Sequence, residues 1–171
     1  MTRYQRWIAA TLTAVLIVAG AIFFFSAQPG QDSSDLSASL TVRLLQWFHP
    51  GYAGLAEAEK SALLEAWHTV VRKAAHFSEY VLLGACLTAF FHALHRAKPR
   101  WLKGLVALLI CALYACTDEV HQMFVDSRGP AFTDVLIDTA GALAGIAAMA
   151  LVLSLRRRVR EPSLTAPDVH P

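Results

Sequence analysis

Charge is scarce in this chain. Only 16% of its 171 residues are Asp, Glu, Lys or Arg, against 56% hydrophobic residues, and the mean hydropathy is +0.43. A soluble domain of this length carries more charge on its surface, so the composition excludes an ordinary water-soluble globule and makes the bilayer the expected solvent. Cysteine is scarce too. Cys86, Cys111 and Cys116 all fall in apolar runs, which excludes a disulfide framework and a cysteine-based metal motif and leaves three small packing residues. A G-x-S-x-G nucleophile motif is absent, as is a visible internal repeat, and four spans without a repeat make a poor alternating-access carrier.

What the chain does have is apolar length. Four stretches are expected to span: 7–25 without a charge, 77–94 with only Glu79 and His92, 102–116 with only Lys103, and 135–155 with only Asp138. A hydrocarbon core needs about 20 apolar residues, so 102–116 is the shortest fit. Arg3 and Arg6 ahead of the first run also suit a signal peptide, but the run is longer than an h-region and Phe25 spoils the small-x-small pattern at Ser26 and Ala27. An uncleaved first helix is expected.

The basic residues orient these spans. Arg3 and Arg6 precede the first, Arg96, Lys98, Arg100 and Lys103 lie between the second and third, and Arg156, Arg157, Arg158 and Arg160 follow the fourth. The positive-inside rule then places both termini and the middle loop in the cytoplasm. The loop 26–72 and the acidic loop before the fourth span face outward.

The outer loop is organised. Ser33, Ser34 and Asp35 are N-cap residues, and Leu36, Leu40, Leu44 and Trp47 then recur at near-helical spacing up to Pro50-Gly51. A second segment, Leu55–Arg72, mixes Glu57, Glu59, Lys60 and Glu65 with Leu63, Leu64, Trp67, Val70 and Val71. Both read as amphipathic helices on the membrane surface or folded over the bundle. The fold class is therefore all-α: a polytopic membrane helix bundle with four transmembrane helices plus amphipathic helices in the first outer loop. Residues 1–155 form the membrane domain. Residues 156–171, basic and then proline-rich, are expected to be a disordered cytoplasmic tail that meets anionic headgroups.

Ionisable groups in a membrane cost roughly 2.5 to 3.5 kcal/mol each at a helix centre, and here they cluster. Lys73, His76 and Glu79 are three apart, with Tyr80 four beyond His76, so they share one face at the outer end of the second span. Asp118, His121 and Gln122 converge if the third helix continues through them, with Glu119 pointing away. Asp134, Asp138, Gly141 and Gly145 follow at i, i+4, i+7 and i+11, a small-residue stripe that should face the bundle interior and carry both acids inward. Glu79, Asp118, Glu119, Asp134 and Asp138 outnumber Lys73, Arg128 and Arg72. Burying that excess requires protonated acids, a bound cation or water.

Three readings follow. The set can be a polar plug that fixes helix packing. It can be a metal site, with His76, Glu79, Asp118 and His121 as ligands for a divalent ion. It can be an acid-base site in which His76, Glu79, Asp118, His121 and Asp138 are catalytic while Lys73, Gln122, Arg128 and Asp134 bind the substrate.

FSAQPG at 25–30, Ser33 and Ser34, RKAAHFSEYVLLG at 72–84 and DEVHQMFVDSRGPAFTDVLIDTAGALAG at 118–145 together resemble the VanZ-like membrane proteins. The resemblance covers the chain from Phe25 to about residue 148 and maps the family pattern onto Lys73, His76, Glu79, Asp118, Glu119, His121, Gln122, Arg128, Asp134 and Asp138. It implies a small helical membrane protein of a family named for a member of a glycopeptide-resistance cluster that confers low-level resistance to teicoplanin. Three function classes remain: an enzyme acting on a lipid-linked or cell-envelope substrate, a binding or scaffold protein for an envelope component, and a small proton-linked transporter. Membrane lipids and an envelope ligand are the expected partners; nucleic acid is not among them.

Overall fold

The computed structural model describes residues 1–160 apart from 96, 127 and 130, and omits the side chains of 32 and 158–160. Five α-helices account for most of these residues, with no strand among them: α1 Arg3–Ser26, α2 Gly30–Phe48, α3 Glu57–Leu94, α4 Arg100–Gln122 and α5 Phe132–Arg160. Four of them, α1, α3, α4 and α5, are long and apolar enough to cross a membrane, and the chain is an all-helical multi-pass membrane protein.

Local chemistry explains the boundaries. The helix α1 opens on a capping box in which Thr2 Oγ1 accepts from Gln5 N at 3.2 Å and Gln5 Oε1 accepts from Thr2 N at 2.9 Å. Pro29 and Pro99 stand immediately before α2 and α4, where a missing N–H costs nothing. Between α2 and α3 the chain turns at Gly51, whose φ of 83° suits a residue without Cβ, and passes through a short 3-10 turn, Tyr52–Gly54.

The segment expected as a second, separate amphipathic helix is instead the first half of α3, a helix of 38 residues and thus about 57 Å long. Nothing in the sequence breaks it, since neither glycine nor proline occurs between Glu57 and Gly84. Its first turn is supported by Glu59 Oε2 accepting from Ala56 N at 3.0 Å and by the Lys60–Glu57 ion pair at 2.9 Å. A helix this long exceeds the roughly 30 Å hydrocarbon core, so its first turns stand beyond the apolar layer.

A second difference concerns α2. The stripe Leu36, Leu40, Leu44 and Trp47 is exposed, and the buried face is Ser37, Thr41 and Leu45. The hydroxyls permit this burial by bonding inside the helix: Ser37 Oγ donates to Ser33 O at 2.9 Å and Thr41 Oγ1 to Ser37 O at 2.7 Å. On the α3 side, His68 Nε2 lies 3.1 Å from Ser34 O.

The third span is longer than its apolar run indicates, because the acidic stretch through Gln122 continues α4 to 23 residues. At the other end of the chain the basic cluster from Arg156 prolongs α5 to Arg160. The remainder of the expected tail, 161–171, lies outside the described residues, as do Arg96 and the side chains of Arg158 and Arg160.

Helix directions follow from two bonds. Tyr4 Oη donates to Leu94 O at 3.2 Å, joining the start of α1 to the end of α3, and Gln122 Nε2 donates to Ser26 Oγ at 3.1 Å, joining the ends of α1 and α4. One end of the bundle is therefore basic, with Arg100 and Arg156. The other holds the acids.

The core is small-residue packing. In lipid no hydrophobic force draws helices together, so contact depends on close approach. On α4, Ala107, Cys111 and Ala115 are fully buried at intervals of four, and Tyr80, Leu83 and Leu87 of α3 fill the space beside them with Ile22 and Ile146. Cys111 is thus the packing residue expected, whereas Cys86 is only partly buried and Cys116 is exposed. The stripe on α5 lies against α3: a Cβ on Gly141 would overlap Phe77 O, one on Gly145 would overlap Val81 O, and one on Gly84 would overlap Ala142 O. Gly20 of α1 meets nothing within 4 Å.

That contrast makes a test. Gly145→Leu should cost at least the roughly 1–3 kcal/mol typical of overpacking and abolish a monodisperse detergent-extracted monomer, whereas Gly20→Leu should elute unchanged in size-exclusion chromatography. Equal behaviour of the two variants contradicts the α3–α5 packing.

Candidate functional site

At the acidic end of the bundle the α3–α5 contact sets two polar faces side by side. Lys73 Nζ of α3 pairs with Asp134 Oδ1 of α5 at 3.4 Å, and both side chains are partly exposed. One turn deeper, His76 Nδ1 lies 3.8 Å from Glu79 Oε2; this is an ion pair only when the imidazole is protonated. A further turn down, Tyr80 is wholly buried, as is Asp138 on α5, and neither Tyr80 Oη nor Asp138 Oδ1 has a hydrogen-bond partner among the described residues. The phenol ring of Tyr114 lies 6.4 Å from that of Tyr80, and its hydroxyl donates to Ala19 O at 2.8 Å.

The end of α4 closes this space. Asp118 is buried and accepts from Gln122 Nε2 at 3.0 Å, the same amide that reaches Ser26 on α1. The i, i+4 spacing read from the sequence thus produces the expected Asp118–Gln122 contact. Arg128, in the loop between α4 and α5, donates from Nη2 to Phe25 O at 3.1 Å. Partial burial lowers its pKa while Asp118 opposes that shift, and a guanidinium stays protonated throughout.

Two residues differ from expectation. Glu119 does not point away into the surroundings: it is buried, and its Oε2 accepts from Ala131 N at 2.7 Å, which ties α4 to the residue preceding α5. The stripe Cys111, Ala115, Asp118, Glu119 and Gln122 contains it, a spacing wide enough for a full buried helix face. His121 turns to α1, its ring centroid 4.9 Å from that of Phe23 and its Nε2 buried without a partner. Ser26 was missed as a participant, although it lies within the FSAQPG motif.

The four candidate metal ligands, His76, Glu79, Asp118 and His121, do not gather around one point. No group of three or more His, Cys, Asp or Glu side chains forms a metal-holding arrangement among the described residues. What the arrangement can do is hold protons and hydrogen bonds. Unpaired buried polar groups such as Asp138 Oδ1 and Tyr80 Oη are rare, and each retains the capacity to bind water or a polar ligand.

The Glu119 contact is open to direct measurement. Glu119→Leu removes the acceptor from the partly buried Ala131 N and should lower the stability of the purified protein by about 1 kcal/mol, seen as a lower apparent Tm in detergent. Glu119→Gln retains an accepting oxygen and should fall between that variant and the parent; an unchanged Tm for Glu119→Leu contradicts the assignment.

Comparison with known proteins agrees with the motifs. No curated protein and no solved structure matches the chain. The family model described as VanZ/LLP1 matches residues 11–153, which takes in the second and third spans whole, most of the first and fourth, and every residue of the cluster. The chain belongs to the VanZ/LLP1 family.

Proposed function

We propose that this VanZ-like membrane protein uses its buried acid end as a proton-transfer site for a lipid-linked or cell-envelope substrate. The observation that carries the reading is the row His76, Glu79, Tyr80 and Asp138. These groups share the α3–α5 seam, and two of their atoms, Tyr80 Oη and Asp138 Oδ1, are buried with hydrogen-bonding capacity unused among the described residues. His76 serves as base and Glu79 or Asp138 as acid, the choice of groups that proton transfer near neutral pH requires. Asp118 and Gln122 position the end of α4, and Lys73, Arg128 and Asp134 line the entrance. His121 is left to packing against Phe23. The family membership supports a link to antibiotic resistance, and resistance of the teicoplanin type is the phenotype this reading expects.

A second reading has its own support. Lys73, Glu119, Gln122 and Arg128 each already bind another part of the chain, which suits a non-catalytic protein that binds or shields an envelope component.

The two separate by mutation. Where expression of the chain confers resistance, His76→Ala and Glu79→Gln should each abolish the phenotype while the extracted protein remains abundant and monodisperse. Retention of resistance in both variants rules out proton transfer and leaves binding.

The site is proposed to face outward, with both termini in the cytoplasm of a bacterial inner membrane, because the basic end carries Lys98, Arg100, Arg156 and Arg157. Reporter fusions after Arg160 and near Lys98 should then both report cytoplasm, and one near Gly51 the outside. An external signal at Lys98 reverses the orientation.

A further inference from the structure

The opposite, basic end holds a group that the acid cluster does not explain. Lys103 sits in the first turn of α4, close enough to the end of the span for a lysine to extend its ammonium into water, yet the residue is only 6% exposed. It lines a groove of about 220 Å³ between α3, α4 and α5, with Thr88 and His92 on one wall, Ile146 and Leu153 on another, and Arg100 and Trp101 at the mouth. No side-chain hydrogen bond or ion pair joins Lys103 to a described residue.

The sequence removes the usual solution. No Asp or Glu occurs between Glu79 and Asp118 or between Asp138 and Glu161, so the segments of α3, α4 and α5 that form this groove contain no carboxylate. Along α4 itself the next acid is Asp118, about 22 Å away. A lysine this enclosed is costly unless an anion is hydrogen-bonded to its ammonium, and none of the described residues supplies one. The exposed Arg100 at the mouth adds a second positive charge beside the first.

We propose that this groove binds the phosphate of an anionic phospholipid from the adjoining leaflet, with Lys103 and Arg100 holding the phosphate and the Ile146–Leu153 wall receiving the start of an acyl chain. Phosphate is the anion whose charge and several acceptor oxygens suit an ammonium and a guanidinium together. The apolar wall and the exposed indole of Trp101, 70% accessible, favour a lipid over a free ion, since indoles settle at the headgroup level. Basic recesses between spanning helices are recognised lipid headgroup sites.

The test uses the full chain with Trp7, Trp47 and Trp67, all exposed, replaced by Phe, so that fluorescence reports Trp101 alone. Reconstituted in phosphatidylcholine vesicles with a minor fraction of brominated phosphatidylglycerol or brominated phosphatidylcholine, Trp101 should be quenched preferentially by the anionic lipid. Lys103→Met should reduce that preference about tenfold, the loss of one charge-assisted bond, whereas Lys98→Gln at an exposed site should leave it within about twofold, as expected of a screened surface charge. Equal quenching by the two lipids in the parent protein overturns the proposal. So does a preference that survives in folded Lys103→Met. Should Lys103→Met fail to fold, the parent comparison still decides. Relief of the preference by millimolar inorganic phosphate assigns the groove to a free anion and overturns the lipid.

Discussion

The backbones of α3 and α5 touch, and most of the molecule's chemistry depends on that approach. Gly84, Gly141 and Gly145 occupy points where a single methyl group would overlap a carbonyl of the opposing helix. Because helices in lipid gain nothing from hiding apolar surface, association rests on such close fits. The consequence extends past packing: with the axes this near, Lys73 and Asp134 can pair across the seam, and Tyr80 and Asp138 are both fully buried along it.

The same closeness creates an electrostatic difficulty. Carboxylates from α3, α4 and α5 converge on one end, and the nearby cations are partly committed, Lys73 to Asp134 and Arg128 to Phe25 O. Such an arrangement is a poor way to hold helices together, since serine or glycine would do so at lower desolvation cost. Glu119 and Gln122 show how structural polar groups behave: each has a definite partner on another segment. His76, Glu79, Tyr80 and Asp138 are different, with a long contact in one case and unpaired atoms in others. This division between satisfied and unsatisfied members is what supports the proposed proton-transfer site, with His121, whose Nε2 also lacks a partner among the described residues, set apart by its ring contact with Phe23.

Much of this was legible from residue spacing. The four spans follow from apolar length, and the i, i+4, i+7, i+11 stripe of α5 correctly faces the bundle because helical periodicity alone decides which residues share a face. Spacing failed where a decision belongs to the neighbour. His121 is three residues from Asp118, yet its ring goes to Phe23 of α1. Glu119 is buried because a loop amide needs it, a need that exists only once α5 has been placed. The exposed stripe of α2 misled for a related reason: amphipathicity says that one face is apolar, and leaves open whether that face meets protein or lipid. The segment Leu55–Arg72 was separated from the span by its charges, although charge does not end a helix and no glycine or proline was there to do so.

The helix α4 makes the polarity of the whole bundle visible in one line of side chains. Lys103, Ala107, Cys111, Ala115, Asp118 and Gln122 are all buried, and they ascend one face from a cation through small packing residues to an acid and an amide. The helix dipole has the same sense along this axis, positive at the first turn and negative at the last. Lys103 thus stands where the dipole opposes it, and Asp118 where the dipole opposes it as well. Neither position stabilises α4, which means each charge must be answered by another group. At the upper end Asp118 accepts from Gln122 Nε2. At the lower end the described segments of α3, α4 and α5 carry no carboxylate to answer Lys103, which is the ground for proposing an anion from the membrane there.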